Sequence, residues 1–132
     1  MKRVLFVCVE NSCRSQMAEG FARAFGNGKI EAYSAGSKPS GKVNPLAIEV
    51  MREAGVDISG NLSRGFNALP VRNFDYVVTL GCQDICPFLP ADKHIEWQIE
   101  DPKNKNIEFF RQVRDEISCK VTELIKNILA DN

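Results

Sequence analysis

The chain has 132 residues, 17 Lys and Arg against 17 Asp and Glu, one His and five Cys. At about 100–200 residues per domain it reads as a single domain, residues 1–132, able to bury a core without disulfide staples. A formal charge of zero argues against nucleic acid as a partner, because no basic excess drives counterion release. The single His94 rules out a clustered histidine metal site and leaves little room for a Ser-His-Asp machine.

The apolar run at residues 4–9 is far too short for a membrane span or a signal-peptide core, so a cytoplasmic location with no membrane partner is expected. Thiols stay reduced there and structural disulfides are rare. The five cysteines must then be core filler, metal ligands or redox chemistry.

Residues 2–7 are β-branched and aromatic, a strand buried on both faces. After a polar turn, residues 15–25 place Met17, Ala18, Phe21, Ala22 and Phe25 on one helical face, stopped by Gly26-Asn27-Gly28. Residues 30–35 read as a second strand. Asn44-Pro45 supplies an N-cap and a first-position proline for a helix that ends at Gly55. Residues 75–80 form another buried strand, and residues 94–99 a weaker one. A closing helix over residues 107–129 carries Phe110, Val113, Ile117, Val121, Leu124, Ile125 and Ile128, with Cys119 expected on its inner side.

Strands alternating with helices predict a three-layer α/β domain, a four-stranded parallel sheet with helices on both faces. Ligands in such sheets sit beyond the carboxyl ends of the strands, at a switch in strand order. Residues 8–15, 81–86 and 100–102 all fall at that end.

In Cys8-Val9-Glu10-Asn11-Ser12-Cys13-Arg14-Ser15 a thiol at a strand end is followed by an arginine six residues on, and then by a helix. A loop wrapped before a helix N-terminus aims backbone N–H groups and positive potential at one point. An oxyanion fits there, gripped by the Arg14 fork. The same field favours a thiolate at Cys8, and Ser15 is placed to donate a hydrogen bond to it. In isolation, Cys8 would read as a small buried hydrophobe and Arg14 as a surface residue. The strand before and the helix after reverse that weighting.

The segment CVENSCRSQMAE resembles the active-site loop of the low-molecular-weight tyrosine phosphatase family, in which Cys-x5-Arg-Ser/Thr pairs with a distant Asp-Pro, here Asp101-Pro102. YSAG, VNPLAIEVM, GVDIS, VVTL, CPFLP and VRDEI are similar to the arsenate reductases built on that fold, so the resemblance spans nearly the whole chain. Gln16, where the phosphatases usually have proline, also favours that branch. The resemblance implies a low-molecular-weight phosphatase-like fold with Cys8 as nucleophile. The backbone of Val9, Glu10, Asn11, Ser12 and Cys13 and the Arg14 side chain would bind the oxyanion, with Ser15 stabilising the thiolate and Asn11 holding the loop. Asp101 would be the general acid, its loop fixed by Pro102.

By the same analogy, Cys82 is the second thiol, which attacks Cys8 and releases arsenite, and Cys86 resolves the resulting disulfide. Positions four apart on a helix have Cβ atoms about 5–6 Å apart, whereas a disulfide needs about 3.8 Å. The backbone over residues 81–89 is therefore expected to differ between redox states. A half zinc site and two inert thiols are the competing readings of this pair, and Cys13 is read as packing behind the loop, with a backup thiol as the alternative.

No bound cofactor or metal is expected. Arsenate or a phosphate-like oxyanion is the expected ligand, thioredoxin the electron donor, and the chain is read as a monomer. Gly81, inserted after Val-Thr-Leu, and the short gap to Cys86 depart from the thioredoxin-linked pattern, leaving glutaredoxin with glutathione, or another small thiol, as alternative donors. Some relatives bind potassium through residues matching Asn11, Glu19 and Ser34. Arg64 stands at the fourth position, so no strong potassium site is expected. A tyrosine phosphatase using Cys8, Arg14 and Asp101 is the nearest rival function, and a non-catalytic oxyanion-binding module is the third.

Overall fold

The computed structural model describes residues 1–81 and 89–130. Its elements in chain order are β1 (Lys2–Cys8), α1 (Arg14–Gly26), β2 (Ile30–Gly36), α2 (Pro45–Glu53), a 3₁₀ turn (Phe66–Ala68), β3 (Phe74–Leu80), β4 (Ala91–Trp97) and α3 (Ile107–Ala130). The four strands form one sheet in the order β2-β1-β3-β4, every neighbouring pair parallel. From β1 the chain turns first to one side and later to the other, so the switch in strand order falls at β1, which ends at Cys8.

Alternation along β1 divides the core. Val4, Phe6 and Cys8 face a cluster built with α1, α2 and α3, including Met17, Phe21, Val50, Met51, Phe110 and Ile117. Leu5 and Val7 face the opposite side, where Ala35, Val77, Leu69 and Phe74 pack with the partly buried Phe66 and Val71. Both faces are thus covered, but unevenly. Among the described residues all three α-helices lie on the first face, and the second is closed by the 3₁₀ turn and its flanking chain.

Local chemistry accounts for the helix ends. The Asn44 side chain accepts the Leu46 N–H at 2.9 Å, with Pro45 at the first turn. Asn27, in the left-handed region at φ 53°, stops α1. None of the helices among the described residues is long and apolar enough to cross a membrane.

Three expectations need correcting. β4 starts three residues before the expected 94–99 and ends at Trp97. It is an edge strand with exposed Asp92, Lys93 and His94, so no apolar run marks its start. Phe25 is 41% exposed and stacked on Phe21 with ring centroids 5.3 Å apart, so it caps the helical face without entering the core. Cys119 is exposed. It lies two residues, about 200° of helical rotation, from both Ile117 and Val121, which places it on the side opposite the buried stripe. Cys82 and Cys86, with the redox-dependent backbone expected around them, lie outside the described residues.

One close approach sets the site. A Cβ at Gly36, the last residue of β2, would stand 2.5 Å from the Val9 carbonyl oxygen and 2.8 Å from the Asn11 nitrogen. Both neighbours are backbone, so neither can yield without displacing the loop. Gly36→Ala is expected to destabilise the fold by about 1–3 kcal/mol, as overpacking does. Urea unfolding checks this, and an unchanged midpoint would mean that the loop is not held against β2.

Candidate active site

The loop between β1 and α1 is held from outside by its carbonyls. The Val9 carbonyl accepts the Lys38 N–H at 2.8 Å, and that of Glu10 accepts the Ser40 N–H at 3.1 Å and the Ser63 hydroxyl at 2.7 Å. The Asn11 carbonyl accepts Gln16 Nε2 at 3.2 Å, and that of Ser12 accepts the Asn44 N–H at 3.0 Å. In a planar trans peptide the carbonyl and the following N–H point in opposite directions. Four outward carbonyls therefore turn the N–H groups of Glu10, Asn11, Ser12 and Cys13 inward, toward the start of α1. Convergent N–H groups before a helix N-terminus are an arrangement that anions favour.

Asn11 is fully buried, in the left-handed region at φ 51°. Its Oδ1 accepts the backbone N–H of Arg64 at 2.9 Å, a donor that cannot be reversed, and Gln16 Nε2 at 2.9 Å. The amide orientation is therefore fixed, and Nδ2 donates to Ser15 Oγ at 2.8 Å. With its oxygen accepting from Asn11, the Ser15 hydroxyl turns its own proton to Cys8 Sγ, 2.9 Å away. The sulfur is thus supplied with a donor through a directed chain.

Arg14 is 5% exposed. Its Nη1 donates to the Ile99 carbonyl at 3.0 Å, and Nη2 lies 3.6 Å from Asp101 Oδ2. The second distance is an ion pair, too long for a hydrogen bond, so the fork is aimed but not used up. Gly81 makes room for it. A Cβ there would lie 2.3 Å from Nη1, and the residue has φ +80°. The glycine that departs from the thioredoxin-linked pattern is where the guanidinium packs. Asp101 is anchored by the Lys103 N–H to Oδ1 at 3.0 Å and followed by the buried Pro102. Cys8, Arg14, Asp101, Cys13, Glu10 and Lys103 line one cavity of about 10 Å³. The segments after β1 and β4 therefore do converge.

The low molecular weight phosphotyrosine protein phosphatase family matches residues 3–132. The chain belongs to this family. Within it, the glutaredoxin arsenate reductase of Synechocystis is 44% identical over 131 residues, covering 97% of this chain and 99% of the relative. A solved arsenate reductase in the phosphate-binding state superposes with a TM-score of 0.86 at 43% identity, covering 97% of this chain and 99% of the other. The thioredoxin-dependent arsenate reductase of Corynebacterium glutamicum gives a TM-score of 0.82 at 32% identity, covering 100% of this chain and 64% of that one.

Two buried polar side chains of α1 brace the loop and the strand beside it. Gln16, 1% exposed, ties the loop to residues 61 and 62: Nε2 donates to the Leu62 carbonyl at 3.1 Å, and Oε1 accepts Asn61 Nδ2 at 3.1 Å. Glu19, also 1% exposed, accepts the Ser34 hydroxyl at 2.6 Å and pairs with Arg23 Nη2 at 2.9 Å. The guanidinium paired with this carboxylate is that of Arg23. Arg64 contributes its backbone N–H to Asn11. Among the described residues, no three His, Cys, Asp or Glu side chains gather as a metal-binding group.

Gly36, Gly81, Arg23, Lys103 and the Ile99 carbonyl are site features that motif reading missed. Only Gly81 carried a signal, as an insertion. The others act through backbone or through long side chains whose targets are distant in sequence.

Cys13 belongs to the core and also lines the cavity, so it does more than pack behind the loop. Burial pushes its thiol up to about 12, helped by the negative charge of Asp101. A raised value keeps the proton on sulfur throughout the neutral range, and the thiol is then a poor nucleophile. Peptide-resolved alkylation of the folded protein at pH 8 should therefore label exposed Cys119 and spare Cys13. Equal labelling of the two would contradict this placement.

Proposed function

We propose that the chain reduces arsenate to arsenite by thiol chemistry centred on Cys8. The observation that carries the reading is the Cys8 sulfur, 2.9 Å from the Ser15 hydroxyl in a cavity shared with Arg14 and Asp101. Arsenate reductases related over nearly the full chain support reduction over hydrolysis. The two thiols at 82 and 86 supply a source of electrons.

In this reading the cradle N–H groups and Arg14 hold three oxygens while the Cys8 thiolate attacks the central arsenic. The fourth oxygen departs as water with the proton given by Asp101. Cys82 then attacks Cys8 Sγ. The sulfur–arsenic bond breaks with its electron pair going to arsenic, which leaves as arsenite, and a Cys8–Cys82 disulfide remains. Attack by Cys86 on Cys82 frees the Cys8 thiolate and leaves a Cys82–Cys86 disulfide for an external thiol donor to reduce.

Thioredoxin is the donor a dithiol relay fits, and the Corynebacterium glutamicum relative is named for it. The name of the Synechocystis relative favours glutaredoxin as the alternative. No bound cofactor takes part, and a reducing cytoplasm is the compartment this chemistry requires.

Arsenate-dependent NADPH consumption is the test, run with thioredoxin and its reductase and repeated with glutathione and glutaredoxin. Cys8→Ser should abolish it, and Asp101→Asn should slow it by about 10²–10⁴-fold, the span of general-acid effects. Cys82→Ser should abolish multiple turnover and leave aryl-phosphate hydrolysis largely intact. Undiminished multiple turnover in Cys82→Ser, or no consumption by the unaltered protein with any donor, would return the reading to the phosphatase.

A further inference from the structure

The cavity over Cys8 measures about 10 Å³, the room of one water, although the cradle around it is shaped for a larger tetrahedral anion. Its part-exposed lining side chains, Glu10, Asp101 and Lys103, mark its solvent side. Glu10 is the third residue of the loop, and its carboxylate stands at the rim of an anion site, where like charge repels the ligand. Lys103 reaches it from the segment after β4, with Nζ 2.5 Å from Glu10 Oε2. The two positions are 93 residues apart, so this contact joins the nucleophile loop to the segment bearing Asp101. The Lys103 backbone holds Asp101 Oδ1 at 3.0 Å, so the same residue anchors the proposed acid and crosses the opening. Both side chains are part-exposed, at 48% and 31%. A pair of that kind is weak and opens at little cost.

We infer that the Glu10–Lys103 pair is a strap across the pocket mouth that selects free inorganic oxyanions over phosphate esters. The inference rests on the oxyanion reading of the cradle and deepens it. In-line displacement places the leaving oxygen opposite the attacking sulfur. Cys8 attacks from the floor, so the leaving oxygen faces Asp101 and the mouth. On arsenate that oxygen carries only a proton, and the whole anion fits beneath a strap that has parted to admit it and closed again. On an ester the same oxygen carries the alcohol, which must pass out between Glu10 and Lys103 and hold them apart. The strap thus separates substrates by what hangs on the leaving oxygen.

Protection of Cys8 from iodoacetamide, resolved by peptide mass spectrometry, tests this without turnover. The probes are inorganic phosphate and benzylphosphonate, an ester analogue that no phosphatase cleaves. In the unaltered protein phosphate should protect at a concentration at least tenfold below that of benzylphosphonate. Lys103→Ala should shrink that gap to threefold or less through tighter benzylphosphonate binding, and the exchange variant Glu10→Lys/Lys103→Glu should restore it. An unchanged gap in Lys103→Ala would overturn the proposal. So would equal weakening of both ligands, since Lys103 would then add only positive charge, and so would failure of phosphate to protect. Because labelling needs no arsenite, a protein that reduces no arsenate would still return this result if the strap is real.

Discussion

The site depends on the orientation of one amide. Asn11 receives the backbone N–H of Arg64 on its oxygen and passes its own N–H to Ser15, whose hydroxyl then has its proton free for Cys8. Reversing the amide would set an acceptor against the Ser15 oxygen and leave the Arg64 N–H without a partner. In a fully buried position, each unmade hydrogen bond costs about 1–3 kcal/mol. The left-handed backbone at Asn11 is one that asparagine tolerates better than most residues. Conformation and hydrogen bonding therefore require the same side chain.

Around that amide the fold supplies rigidity. β1 ends at the switch in strand order with Gly36 of β2 alongside, close enough that no side chain could intervene. Segments near residues 36–44 and 61–64 take up the loop carbonyls from outside, so the pocket receives N–H groups by default. Arg14 enters over Gly81 and rests on the Ile99 carbonyl, which joins the ends of β1, β3 and β4 through one guanidinium. Most of this is backbone-to-backbone or backbone-to-amide bonding, preorganised before a ligand arrives. Preorganised dipoles in a dry site are what oxyanion chemistry requires.

The strands, the helices and the position of the loop from Cys8 to Ser15 were legible in the sequence because each depends on local pattern. Residues 4–9 are continuously apolar, Asn44-Pro45 is a cap, and Cys8 to Ser15 is a spaced motif. β4 was misplaced because an edge strand satisfies solvent as much as core, and its charged residues hide its start. Cys119 was assigned to the wrong face because membership of an apolar helix does not fix which side a small residue takes. The partner of Glu19 was not read from the sequence, although Arg23 stands one helical turn along and reaches it directly. Glu10 with Lys103 could not be read at all, since nothing local in sequence links positions 93 residues apart.

Reactivity of the Cys8 thiol reports most directly on the directed chain from Asn11. Its rate of alkylation by iodoacetamide at pH 7 is to be compared in the unaltered protein, Ser15→Ala, Asn11→Gly and the double variant, glycine being chosen because it accepts φ 51° without strain. A hydrogen bond to a charged group is worth about 1.5–3 kcal/mol, so each single change should slow alkylation about tenfold or more. The double variant should be no slower than Ser15→Ala, because the two residues act on sulfur through one proton. Unaltered reactivity in Asn11→Gly, or losses that multiply in the double variant, would contradict the chain.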